Sequence, residues 1–244
     1  TIFPKFGIAH SYADIHDTAS WESKILPNTK MIFIETPSNP ALDIIDLEWV
    51  GNLARKHNII LNVDNCFATP YLQTPAKWGA HIVTHSATKF MDGQGRVIGG
   101  IILGSKELIK EVRFFARHTG PSMSPFNAWV LSKSLETLAV RMERHCENAL
   151  ALATYLETRP EIQLVKYPFL PSHPQHALAR KRNRCRTQIF KCIETYFTYT
   201  QPGRHAHCHY TSGLDHTLQT HRRRTIGSGY YARAYTHIRR AGRY

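Results

Sequence analysis

The stretches Ile59-Ile-Leu-Asn-Val-Asp-Asn65 and His81-Ile-Val-Thr-His-Ser-Ala-Thr-Lys89 each carry a short, β-branched apolar run into polar and charged residues. Runs of this length that end at such groups read as buried strands. Met31-Ile-Phe-Ile-Glu35, stopped by Thr36-Pro-Ser-Asn-Pro40, has the same form upstream, and Gly99-Gly-Ile-Ile-Leu103 has it downstream. Between the first two strands, Asp46 to His57 places Leu47, Val50 and Leu53 at helical spacing, and a second helix is predicted around Lys106 to Arg117. Short apolar strands alternating with helices predict an α/β domain: a mainly parallel sheet with helices on both faces. Ser124 is placed to cap a long helix with Pro125 in its first turn and Phe126, Trp129, Val130, Leu135 and Leu138 on one apolar face. That helix would link a large domain over residues 1–142 to the start of a smaller one over 143–181.

Charge divides the chain unequally. Its 244 residues carry 31 Lys+Arg and 18 Asp+Glu, a net +13, yet +11 of this falls in residues 181–244, whose only acids are Glu194 and Asp215. That segment has no valine and only Leu214 and Leu218 as leucines, so it lacks the branched aliphatic surface that builds a core against its own repulsion. Residues 182–244 are therefore expected to form an aberrant, basic, disordered tail. The longest apolar runs fall far short of the ~20 residues that span a bilayer. Thr1 to His10 carries no basic-then-apolar secretory pattern. Five scattered cysteines without metal-type spacing suggest reduced thiols, and the expected location is cytoplasmic.

In parallel α/β sheets ligands collect beyond the carboxyl ends of the strands, so the residues after each strand are where chemistry is sought. These are Ser38-Asn39-Pro40, Asp64-Asn65 and Ser86-Ala-Thr88-Lys89. An acid, hydroxyls and a lysine on one rim suit pyridoxal phosphate. The lysine would hold the aldehyde, the acid would keep the ring nitrogen protonated, and Ser and Thr would donate to the phosphate. Singly, each has a plainer explanation: Lys89 as a solvated surface lysine, Asp64 as a loop cap, Ser86 and Thr88 as strand terminators, His85 as a satisfied core histidine.

The ordered combination is far more specific. Glu35-Thr-Pro-Ser-Asn-Pro40, Val63-Asp-Asn-Cys-Phe-Ala-Thr-Pro70 and His85-Ser-Ala-Thr-Lys89 resemble the successive signatures of the Cys/Met-metabolism (transsulfuration) family of pyridoxal-phosphate enzymes. Asp92-Gly-Gln-Gly-Arg-Val-Ile-Gly-Gly100 and Thr119-Gly-Pro-Ser-Met-Ser-Pro-Phe-Asn-Ala-Trp129 most resemble its O-succinylhomoserine sulfhydrylase branch. The resemblance covers roughly residues 1–181 and implies a partial fold-type-I transferase large domain. It further implies Lys89 as catalytic residue and cofactor anchor, Asp64 at the pyridinium nitrogen, Ser86 and Thr88 at the phosphate, and Asn39 at the ring hydroxyl or substrate side. Cys66 stands where many relatives have Thr and is not read as a nucleophile. The implied reaction is γ-replacement of O-succinylhomoserine, or another O-acylhomoserine, with sulfide to give homocysteine in methionine biosynthesis, and the implied small-molecule partners are the O-acylhomoserine with sulfide or cysteine. The implied assembly is a homotetramer, with neither a specific nucleic acid nor a membrane as partner.

The family's large domain extends upstream of Thr1 and there carries the ring-stacking aromatic residue and the Gly-rich phosphate grip, so a fragment without activity is expected. The tail departs from the family, and the genetic code offers a reason. With permitted codons and one nucleotide skipped, residues 230–244 can read ITPGLIRISVGLED, and residues 201–216 can read NLGDTRTVITHPASTT, both similar to family C-terminal motifs. A frameshift just after Lys181 is therefore inferred, and His205, His207, His209 and the Arg222–Arg224 run carry no evolved site on this reading. The rivals are cystathionine γ-synthase or a γ- or β-lyase, and, in another class, a basic nucleic-acid-binding protein.

Overall fold

The computed structural model describes residues 2–181, 195–201 and 204–210. Along the chain run α1 (Ala19–Ser23), β1 (Met31–Glu35), α2 (Leu47–Lys56), β2 (Ile60–Asp64), α3 (Thr69–Leu72) and β3 (Ile82–Ser86). After them come β4 (Gly100–Gly104), α4 (Lys106–Thr119), α5 (Pro125–Leu135), α6 (Leu138–Glu157), β5 (Ile162–Lys166), α7 (His176–Lys181), β6 (Thr195–Gln201) and β7 (Arg204–Tyr210). The main sheet has the order β1-β2-β3-β4, with the first three strands parallel and β4 antiparallel to β3.

Asp46 starts α2 by accepting hydrogen bonds from the backbone N–H groups of Glu48 and Trp49. Leu47, Val50, Leu53 and Ala54 then turn inward and bury against Ile34, Leu61 and Val63, which share one face of the sheet. Each such aliphatic side chain contributes roughly 1.5–3 kcal/mol when removed from water. α2 also crosses the Pro75–Trp78 turn closely: a Cβ on Gly51 would sit 2.0 Å from the Trp78 carbonyl oxygen. Gly51→Ala is therefore expected to cost about 2 kcal/mol, because overpacking against backbone exceeds alanine's advantage of ~1 kcal/mol in helix propensity. A urea midpoint that stays constant or rises contradicts this.

The opposite face, bearing Phe33, Asn62, Thr84 and Ile102 by register, is covered unequally. At β4, Ile109 of α4 comes within 3.5 Å of the position a Gly104 Cβ would take. Near β1, Phe33 remains 62% exposed.

The linking helix departs from the sequence expectation. Ser124 caps it as predicted, accepting from Asn127 N–H at 3.1 Å, but the helix breaks at Glu136–Thr137 into α5 and α6. The expected apolar face is only partly inward. Phe126 and Trp129 are exposed, and Leu131, Ser134 and Leu138 face the core. A serine at an inward position breaks the apolar stripe that periodicity detects, and Ser134 is inward because it meets Asp92 and Arg96. α6 runs unbroken through Glu143, the residue near which the smaller domain is expected to begin. Beyond it Ala149 and Ala153 pack with Val165, Tyr167 and Leu170 in a second core.

Within residues 182–244, where a tail without packed structure is expected, Thr195–Gln201 and Arg204–Tyr210 pair as strands, β6 lying antiparallel to both β5 and β7. Thr, Tyr and Phe in alternation favour extended backbone even without an aliphatic core. The rest of that segment lies outside the described residues.

Candidate functional site

Three strand ends form one rim, because parallel pairing aligns Glu35, Asp64 and Thr84 across β1, β2 and β3, neighbouring strands lying about 4.8 Å apart. Asp64 is half-buried and accepts a 2.9 Å hydrogen bond from Cys66 N–H through one carboxylate oxygen. Cys66 Sγ in turn donates to the Ser86 carbonyl at 3.6 Å, joining the end of β2 to the end of β3. The chain then folds into a tight turn: Lys89 N–H donates to Ser86 O at 3.3 Å, Asp92 N–H to Ala87 O at 2.9 Å and Gly93 N–H to Lys89 O at 2.8 Å. The Lys89 side chain emerges from this turn exposed and takes part in no ion pair among the described residues.

The other predicted residues fall nearby in different states. The Ser86 hydroxyl has no hydrogen-bond partner among the described residues. Thr88 Oγ1 is held by Gly99, donating to its carbonyl at 3.4 Å and accepting from its N–H at 3.3 Å. Asn39 lies one strand further, exposed beyond β1, with its N–H donating to a Glu35 carboxylate oxygen at 3.4 Å. Asp64, Ser86 and Lys89 are thus drawn around Cys66, while Asn39 stands apart at the β1 end.

Electrostatics fit that grouping. Burial pushes the Cys66 thiol up to about 11, with Asp64 and Glu35 adding to the rise and the Lys89 charge opposing it. The thiol stays protonated and is no nucleophile. His85, one residue before Ser86, is buried with its Nδ1 unpartnered, and burial lowers its pKa against the pull of Asp64. Burial likewise lowers His145 and His173. Burial favours the neutral form of each in the fold, so unfolding takes up protons as pH falls below ~6.5. Stability is therefore fully present above that pH and declines below it, by at most ~1.4 kcal/mol per pH unit for each histidine. A melting temperature that rises between pH 7 and pH 5 contradicts this.

Sequence reasoning missed a polar cluster behind Lys89. Asp92 is wholly inaccessible, and its carboxylate accepts from Arg96 N–H at 2.6 Å, Nε at 3.1 Å and Nη2 at 2.9 Å. Its only sequence signal is the Asp92/Arg96 spacing of four.

A free amine for an aldehyde, a carboxylate for a pyridinium nitrogen and a free hydroxyl for a phosphate form a donor set that suits pyridoxal phosphate, and the chemistry of Lys89, Asp64 and Ser86 fits it. Among the described residues no cluster of three or more His, Cys, Asp or Glu could hold a metal ion.

Residues 1–194 match the Cys/Met metabolism PLP-dependent enzyme family. The chain belongs to that family. Among its Cys/Met-metabolism relatives, O-succinylhomoserine sulfhydrylase of Pseudomonas aeruginosa is 51% identical over 180 residues, covering 74% of this chain and 45% of that protein. Cystathionine beta-lyase of Coxiella burnetii is 43% identical over 180 residues, covering 73% of this chain and 46% of that protein. The crystal structure of cystathionine gamma-lyase from Lactobacillus plantarum superposes with a TM-score of 0.77 at 33% identity, over 83% of this chain and 52% of that one. The chain thus spans about half the length of these Cys/Met-metabolism proteins. Family membership makes pyridoxal phosphate the cofactor and confirms the partial transferase fold, while lyases and a sulfhydrylase stand side by side among the relatives.

Proposed function

We propose that this chain is the Lys89-bearing part of an enzyme that replaces the acyl group of O-succinylhomoserine, or another O-acylhomoserine, with sulfide to give homocysteine. The supporting observation is the 51% identity to the Pseudomonas aeruginosa sulfhydrylase, above the 43% to the Coxiella burnetii lyase. The bound cofactor supplies an electron sink that acidifies the substrate's α and β carbons. Lys89 would hold it and would move protons at the substrate's Cα and Cβ. Asp64 would hold the proton on the ring nitrogen, Ser86 and Thr88 would bind the phosphate, and Asn39 would serve the ring hydroxyl or the substrate side. In the net reaction the Cγ–O bond would break with its electron pair leaving on the released carboxylate, and sulfide would form the new Cγ–S bond.

Similarity to lyases supports a second reading, cystathionine γ-synthase or a γ- or β-lyase. Product analysis separates the readings: from O-succinylhomoserine, homocysteine with sulfide supports the first and cystathionine with cysteine the synthase, whereas a keto acid with ammonia released from cystathionine supports a lyase. The proposed assembly is a homotetramer acting on small molecules in the cytoplasm. Among the described residues no helix is long and apolar enough to cross a membrane. The domain limits remain those read from sequence, and codons for residues 201–216 and 230–244 that cannot yield the family strings overturn the frameshift.

A further inference from the structure

The turn after Lys89 is fastened to the α5–α6 elbow by an arginine. Arg141, on the first turn of α6, donates through Nη1 to the Phe90 carbonyl at 2.7 Å and through Nη2 to the Met91 carbonyl at 3.2 Å. The same Nη2 reaches the Ser134 carbonyl at 2.9 Å, and Nε donates to Thr137 Oγ1 at 3.2 Å. One planar guanidinium thus joins two consecutive carbonyls of the Lys89 turn to the end of α5, a set of directions that a single ammonium cannot satisfy.

Two features support a built contact. Gly93 has φ +72°, and a Cβ there would lie 2.1 Å from Arg141 Nη1, so the backbone leaves room for the guanidinium. Asp92 then ties Arg96 and the Ser134 hydroxyl to the same elbow, closing a second link beside the first. The other side of α6 meets the segment following Asp64: Leu138, Met142 and Cys146 pack on Ala68 and Leu72. A single helix therefore braces both the lysine turn and the segment leading from the aspartate.

We infer that Arg141 is a positioning residue that fixes where the Lys89 amine stands relative to Asp64, through its hold on the Phe90 and Met91 carbonyls. The inference rests on the reading of Lys89 as cofactor anchor, but the clamp itself is measurable without cofactor.

The test uses the full chain in four variants: Arg141→Ala, Arg141→Lys, Gly93→Ala and Lys89→Ala. Hydrogen exchange in the cofactor-free protein is expected to speed up about tenfold at the Asp92 and Gly93 amides of Arg141→Ala, as when a buried hydrogen-bonded link is lost, and to stay unchanged in β1 and β2. Borohydride trapping of pyridoxal phosphate is expected to need about tenfold more cofactor for half-saturation. Added guanidinium ion, below denaturing concentrations, is expected to restore both in Arg141→Ala and neither in Gly93→Ala, whose methyl occupies the site. Arg141→Lys is expected to behave as Arg141→Ala, and unaltered exchange and trapping in these two variants overturn the inference. So does faster exchange throughout the chain, which would make Arg141 a general structural residue. If Arg141→Ala fails to fold, Gly93→Ala decides by the same exchange and trapping comparison. Trapping that survives in Lys89→Ala refutes the cofactor assignment instead, leaving the exchange result to judge the clamp.

Discussion

Replacing Lys89 with alanine is expected to abolish covalent capture of pyridoxal phosphate by this chain. The Schiff-base absorbance near ~420 nm and the borohydride-stable adduct should both fall to background. Lys89 is exposed at the rim, free of ion pairs among the described residues, and one strand across from the Asp64 carboxylate. Of the other hydroxyl and acid groups there, Ser86, Thr88 and Asp64 can hold the phosphate and ring but form no imine. Lys89→Ala should therefore leave unfolding by urea within about 0.5 kcal/mol of the parent, as for an exposed side chain, while capture is lost. Capture that persists, with the modified peptide elsewhere, removes Lys89 from the site.

Asp92→Ala should be the most destabilising of the single changes considered, at about 3 kcal/mol, the lower part of the range for breaking a buried pair. The carboxylate is at 0% exposure, but the Arg96 side chain is 45% exposed and recovers part of its hydration when its partner is removed. The pH dependence has a defined sign. Burial alone raises the Asp92 carboxyl, but hydrogen bonds from the Arg96 backbone and guanidinium, with its charge, outweigh burial and hold it below the ordinary carboxylate value. Its contribution is thus complete above ~4 and lost as pH falls through the lower folded value. Urea unfolding of Asp92→Ala should show a reduced loss of stability below pH 4 relative to the parent, with the histidine-linked decline between pH 7 and 5 intact. A loss under ~1 kcal/mol at pH 7 would mean that Arg96 and Ser134 re-pair without cost.

The unassigned His85 is instructive beside these two. Its Nδ1 has no partner although the ring is buried, and it lies on the face of the sheet shared with Val83, behind the rim that carries Asp64. Adjacency in sequence to Ser86 therefore does not place it among the groups that meet a ligand, since successive strand residues point to opposite faces. Phe33, Phe126 and Trp129 remain exposed in this structure.

By itself the sequence determined the four strands of the main sheet, the helices α2 and α4, and the order of the chemistry. Apolar runs ended by Glu35, Asp64 and Ser86 become strands, Asp46 and Ser124 cap helices, and residues directly after parallel strands must emerge at one rim. These are local consequences of side-chain branching, capping hydrogen bonds and strand direction. Only the tertiary structure decided that Trp129 faces outward, that Ser134 and Asp92 meet across 42 residues, and that Arg141 reaches Phe90 across 51. It likewise set the Gln175 amide against both backbone groups of Ile44, 131 residues away. Hydrophobic periodicity records which face is apolar on average, whereas a polar contact between distant segments leaves no period in either. Its partners become neighbours only once the core has closed around them.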